Sequence, residues 1–179
     1  ARFGTVLPAV SDMNLRGTSL LAGLELEDCS LSEADLSGPD LTGLSIDHSW
    51  MNAVIGHNVK ASKFFAKKVE LIDADFQGAD FSGSNIIKCE AWRANFVGAI
   101  LDGARLVEVS FAEADLTRAS VRNATLIGVL FRKTDLTDAD FSGTTGTVYA
   151  TTETHPSWEG LDLLEALRAR GADVTYVVL

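Results

Sequence analysis

Between residues 26 and 141 the large apolar side chains recur at every fifth position. In "LIDADFQGADFSGSNIIKCEAWRANFVGAILDGARL", residues 71 to 106, the phase is held by Phe76, Phe81, Ile86, Phe96, Leu101 and Leu106. Twenty of the 24 central positions carry Leu, Ile, Met, Val or Phe, and the others are Gly56, Ala61, Ala66 and Ala91. Two residues before each centre the side chain is small or apolar, and ten times it is Ala. The residue just before the centre is mostly polar, as in Ala74-Asp75-Phe76 and Ala139-Asp140-Phe141. Leu15 and Leu20 look like one earlier pair, offset by a residue from this phase.

A helix repeats every 3.6 residues and a strand every two, so neither produces this spacing. Two inward residues in five, one large and one small, mean that the chain turns a corner every five residues. Four such sides close a square coil of 20 residues, and coils stack at the inter-strand distance of roughly 4.8 Å. Each coil buries its inward rows against the coils above and below it, so stability accumulates over neighbours.

The pattern A-[D/N]-[L/F]-x-x resembles that of the pentapeptide-repeat family, over about residues 13 to 145. The resemblance implies an all-β solenoid, a right-handed quadrilateral parallel β-helix, of six to seven coils here. The expected organisation is an N-terminal cap or irregular segment over 1–14, the β-helix over 15–145, and a C-terminal helix and strand over 146–179. That last segment serves as a cap or dimerisation element, because a bare end of a coil stack exposes unpaired edges. "HPSWEGLDLLEALRARG" reads as the helix, with Ser157 at the N-cap, Trp158, Leu161, Leu164 and Leu167 near one face, and Gly171 as the stop. "ADVTYVVL" reads as the strand.

The coil frame makes three local expectations. Cys29 and Cys89 share the small inward position on one side but stand three coils apart, about 14 Å, too far for a disulfide, and should be free and buried. Around "GHNVKASKFFAKK" the large residues move to the preceding inward places, Val54, Val59 and Phe64, while the centres shrink to Gly56, Ala61 and Ala66. Either large and small have exchanged roles within a regular coil or the segment bulges. Lys60, Lys63, Lys67 and Lys68 make this the only basic cluster, read first as a solvated patch.

The formal net charge of −10 argues against direct binding to nucleic acid or to an anionic membrane and suits a basic protein partner. No apolar run approaches the roughly 18 residues of a spanning helix. The cytoplasm is the favoured compartment; the chain starts at Ala1 without Met, so a removed leader would instead allow the thylakoid lumen or another compartment. His48, His57 and His155 show no metal-ligand spacing, and no Cys-x-x-Cys, P-loop or dinucleotide fingerprint is present. No catalytic residue, metal or cofactor is assigned, and the expected role is non-enzymatic: a rigid surface that binds other proteins.

Two outward features are candidates for that surface. Asp35, Asp75, Asn95, Asp115 and Asp135 occupy matching places on one side, interrupted by Ile55, and Asp40, Asp80 and Asp140 continue them on the next. Some members of the family are acidic rod-shaped dimers that confer fluoroquinolone resistance and are taken to mimic duplex DNA at DNA gyrase or topoisomerase IV. The resemblance therefore implies a type II topoisomerase as partner and a homodimer as the assembly. Residues 13 to 145 hold 19 acids and 12 bases, a net of −7, whereas the same length of duplex carries roughly 17 phosphate charges. Asp or Asn before the centre also commonly bonds nearby backbone in turns, which is the competing account of the ladder. The second feature is apolar: Ile87, Val107 and Ile127 match in three consecutive coils, with Phe65 near the same side. Such a ladder calls for a cover, either the chain's own terminal segment or a partner or second subunit.

Overall fold

The computed structural model describes residues 21–150 and 161–178. The short strands β1 (Glu25–Glu27), β2 (Ser45–Asp47), β3 (Phe65–Lys67), β4 (Asn85–Ile87) and β5 (Arg105–Val107) are followed by three longer ones. These are β6 (Thr125–Leu130), β7 (Thr145–Ala150) and β8 (Asp173–Val178), with the helix α1 (Leu161–Ala169) between the last two. All eight strands lie in one parallel sheet, in chain order. From β1 to β6 the register advances by 20 residues per strand, as in Leu26↔Ile46↔Ala66↔Ile86↔Leu106↔Leu126. The other three sides of the coil keep the same step through single bridges such as Ser30↔Trp50, Asp35↔Ile55 and Asp40↔Lys60. We call the strand-bearing side the strand face, and the sides centred on residues 31, 36 and 41 of the first coil the second, third and fourth faces.

The cause of the five-residue period is visible in the backbone. Two residues after every one of the 24 centres, from Asp28 to Gly143, φ is positive, between 45° and 88°. At two or three corners of each coil the centre's carbonyl accepts the N–H three residues on, as in Ala79 N–H to Phe76 O at 3.0 Å. A β-turn with positive φ at its third residue has the form of a type II turn, which favours glycine there. Only eight of the 24 corner residues are Gly; the rest include Ala53, Lys63, Arg93 and Glu113. Each L-residue held in this region costs about 1 kcal/mol, so the inward packing and stacked ladders, rather than local preference, hold the corners.

Every centre from Leu26 to Phe141 is buried, and so is every small inward position from Cys29 onward. The shaft contains a phenylalanine stack: Phe76–Phe96 and Phe96–Phe111 centroids are 5.5 Å apart, Phe111–Phe131 5.7 Å and Phe131–Phe141 5.9 Å. Residues 55–68 form a regular coil. Val54, Val59 and Phe64 are buried there, and the Phe76 ring fills the space above Gly56, where a Cβ would come within 2.7 Å of Cδ1. Large and small have thus exchanged roles while core volume is kept. Cys29 and Cys89 are free and buried, and burial pushes the Cys89 thiol up to about 11.

The coil's register breaks elsewhere, between Leu126 and Val129 in the β6–β7 pair, a bulge with no counterpart in the hydrophobic pattern. β7 carries the strand face through residue 150, and β8 adds to it in parallel. Leu163, Leu164, Ala166 and Leu167 of α1 are buried; the expected N-cap Ser157 and Trp158 lie outside the described residues, as do residues 1–14, Leu15 and Leu20. The helix ends at Gly171 as expected. Ala172 N–H reaches Leu167 O at 3.1 Å and Gly171 N–H reaches Arg168 O at 2.9 Å, with Gly171 at φ +87°, the paired bonds of a Schellman cap. Arg170 locks this module onto the last coil by donating to Leu136 O (3.1 Å) and Ala166 O (2.9 Å).

Candidate protein-binding faces

The aspartates expected on two adjacent faces stand there in rows. The bridges Asp35↔Ile55↔Asp75↔Asn95↔Asp115↔Asp135 run down the third face, and Asp40↔Lys60↔Asp80↔Ile100↔Ser120↔Asp140 down the fourth. Each of the eight Asp or Asn side chains uses Oδ1 to accept the backbone N–H two residues further on. The distances are 3.0 Å for Asp35–Ser37, 2.9 Å for Asp40–Thr42, 3.2 Å for Asp75–Gln77 and 2.9 Å for Asp80–Ser82. They are 3.0 Å for Asn95–Val97, 2.8 Å for Asp115–Thr117, and 2.9 Å for both Asp135–Thr137 and Asp140–Ser142. The bonds satisfy corner donors, as Asx turns do, so the residue type is explained by the fold before any partner is considered. These bonds also act on the charge. The side chain and backbone of Thr137 hold the Asp135 carboxyl below its ordinary range, Thr42 does so for Asp40, and Ser142 for Asp140. A carboxylate so held stays ionised at the surface.

The charge is not continuous along the rod. Asp35 and Asp40 belong to one coil, Asp75 and Asp80 to the next but one, and the coils between and after carry Ile55 with Lys60 and Asn95 with Ile100. Asp75 is further engaged by His57 Nε2 at 2.7 Å and Asn95 Nδ2 at 2.9 Å. Asp102, on the fourth face, is paired with Arg122 (Nη2 to Oδ2, 2.6 Å). This pair joins residues 20 apart, as do Lys67–Asp47 (3.3 Å) and Lys88–Glu108 (3.5 Å), because one step of 20 brings side chains one above the other. Arg93 likewise clasps Asp73 and stacks 3.9 Å over the Trp92 ring.

The apolar residues stand on the side expected of them. Ile87↔Val107↔Ile127 are in register on the strand face, and Ile127 is 40% exposed. Phe65 is on the same face, in the neighbouring row: it pairs with Ser45 and Asn85, and the residue aligned with Ile87 is Lys67. α1 and β8 continue the end of the stack, where Asp173 N–H reaches Thr144 O at 2.7 Å, so this part of the terminal segment adds to the sheet's length. Three of the four lysines are distributed over different faces or partners. Lys60 lies between Asp40 and Asp80 on the fourth face, Lys67 is held by Asp47, and Lys68 Nζ is 2.8 Å from His48 Nε2.

Among the described residues one trio, Glu27, Asp47 and His48, places ligand-type atoms within 4.8 Å of one another. The ammonium groups of Lys67 and Lys68 already stand against Asp47 and His48, so the arrangement is an ion-pair cluster and carries no metal assignment.

A square coil with a 20-residue lap, paired inward rows and a left-handed residue at each corner defines a β-solenoid of pentapeptide repeats. Residues 74–111 and 114–145 match the pentapeptide-repeat family in eight copies, and the same coil runs on in the structure from Leu21. Over those matched residues the chain carries pentapeptide repeats. Full-length QnrB1, a plasmid-mediated fluoroquinolone resistance protein, is similar in structure with a TM-score of 0.67 and 18% identity, over 99% of this chain and 94% of that one. A trypsin-treated variant of QnrB1 is similar with a TM-score of 0.61 and 19% identity, over 95% and 90%. At these identities the likeness concerns the fold. No curated protein matches the sequence.

Proposed function

We propose that this protein is a rigid protein-binding rod whose third and fourth faces act as a DNA-like acidic surface for a type II topoisomerase, DNA gyrase or topoisomerase IV. The observation that carries the reading is the pair of adjacent Asp rows, in which backbone hydrogen bonds fix the side chains, and in which the side-chain and backbone groups of Thr42, Thr137 and Ser142 together hold Asp40, Asp135 and Asp140 ionised. A preordered anionic row loses little side-chain freedom on binding a basic saddle, and opposite potentials accelerate encounter. The likeness to QnrB1, which is named as a fluoroquinolone resistance protein, supports the same reading. The test is gyrase supercoiling with and without a fluoroquinolone, titrated with purified protein. Inhibition of supercoiling, or relief of drug inhibition, at micromolar protein supports the proposal; neither effect at that concentration overturns it.

A second reading is favoured by the Ile87–Val107–Ile127 row: a scaffold that docks a partner or a second subunit through the strand face. A homodimer is part of both readings. Sedimentation separates the two uses of the row, since Ile127→Glu should dissociate a dimer built on it and leave one built elsewhere intact.

A further inference from the structure

The strictly periodic coil departs from its register at Gly128, and that departure builds a groove. Gly128 has φ +60°, and its N–H donates to Thr147 Oγ1 at 2.9 Å. The Tyr149 ring lies against its α-carbon so closely that a Cβ would sit 2.8 Å from Cζ and Oη. Beside this contact is an open groove of about 200 Å³ whose lining includes Glu90, Glu108, Ser110, Leu130 and Tyr149. Its order follows from the register. Glu90↔Ser110↔Leu130 form one row on the second face, Leu130 pairs with Tyr149, and Glu108 stands one lap before Gly128 at the same corner. Two carboxylates therefore mark one end, and an aliphatic side chain and a phenol ring the other. The buried Val109 backs the groove.

We propose that this groove seats an arginine side chain presented by a protein partner. The two ends match the two parts of that side chain. The methylene stem can lie on Leu130 and the Tyr149 ring, and the guanidinium can reach Glu90 and Glu108, with aromatic and carboxylate partners of the kind a planar cation uses. The site already draws a cation: Lys88 Nζ lies 3.5 Å from Glu108, in an exposed pair with about half of each side chain in solvent. Such a pair is weak enough to exchange for an incoming guanidinium. Glu90 has no ion pair among the described residues, and the chain's net charge of −10 favours a basic partner. The groove lies at the corner between the strand and second faces, so it is separate from the Asp rows and independent of the topoisomerase reading.

Amide NMR of the full chain, titrated with Nα-acetyl-arginine amide and in parallel with its neutral counterpart Nα-acetyl-citrulline amide, tests this. The expected result is saturable shifts at Ser110, Gly128 and Tyr149 with the arginine compound only. Glu90→Gln should weaken the binding by about fivefold, and Glu108→Gln similarly, as loss of one charged partner does, while Asp80→Asn on the fourth face should leave it unchanged. Tyr149→Phe should retain binding, since ring and stem contacts persist. Equal response to the citrulline compound, shifts spread along the Asp rows, or an unaltered affinity in both glutamine variants would overturn the proposal.

Discussion

Asp135 Oδ1 accepts the backbone N–H of Thr137 at 2.9 Å, two residues on, and so completes a corner of the coil. Repeated eight times on two faces, this bond means that the acidic rows are part of the scaffold as well as a charged surface. The two roles can be separated, because Asn95 makes the same bond to Val97 without a charge.

Asp115→Ala should therefore destabilise the protein by about 1 kcal/mol, the usual size for a lost local side-chain-to-backbone bond, and Asp115→Asn by much less. Urea unfolding of both variants checks this. If the face also binds a topoisomerase, Asp115→Asn should keep its stability and weaken inhibition of supercoiling, which isolates charge from fold.

Acid should remove the same support. The folded carboxyls of Asp40, Asp135 and Asp140 lie below their ordinary value because of hydrogen bonds to Thr42, Thr137 and Ser142. The folded state thus binds protons less readily than the unfolded chain. The stabilisation is complete above the unfolded value, about pH 4, and is lost as pH falls through the folded values below it. Thermal melts taken from neutral pH downward should show stability falling below about pH 4. Asp135→Asn should flatten that slope, and an unchanged slope would count against the assignment.

The exchange of large and small around Gly56 predicts a size-specific pair. Gly56→Ala places a Cβ 2.7 Å from the Phe76 ring and should cost about 1–3 kcal/mol, as overpacking does. Combining it with Phe76→Leu should cost less than the sum of the two single changes, because the smaller side chain vacates the contested space. Chemical unfolding of the double-mutant cycle measures the coupling.

Corner glycines and corner L-residues should respond in opposite senses. Gly83 sits at φ +65°, and a Cβ added there would have nothing within 4 Å, so Gly83→Ala should cost about 1 kcal/mol through backbone strain alone. Ala53, exposed at φ +52°, should gain up to about 1 kcal/mol on replacement by Gly, less the added freedom of the unfolded chain. Melting temperatures of the two variants, shifted in opposite directions, would confirm that the corners are held under strain.

Much of this architecture was legible because a five-residue period leaves few geometric solutions. The inward rows, the 20-residue lap, the free cysteines and Gly171 as the helix stop all follow from spacing or from a residue with one strong backbone preference. The rows of Asp35, Asp75, Asn95, Asp115 and Asp135 were legible as neighbours for the same reason. Their bonds to the corner N–H groups were one of two accounts the residue types allowed, and only atomic positions chose between them. The left-handed corners were hidden, since most are occupied by residues such as Lys63, Arg93 and Glu113 that do not prefer that conformation. Phe65 stands on the same side as the ladder, as its spacing implied, two residues along the strand from the Ile87 row.

By itself the sequence determined the solenoid, its lap and the order of residues on each face, because those depend on a repeat of inward residues whose burial turns the chain at every fifth position. The tertiary structure alone decided where that order fails or acquires new contacts. The bulge at Gly128, the Tyr149 ring laid across it, and the grip of Arg170 on Leu136 O join segments with no shared period. Such contacts are set by how the last coil, the helix and the final strand pack together in space, which a one-dimensional repeat does not encode.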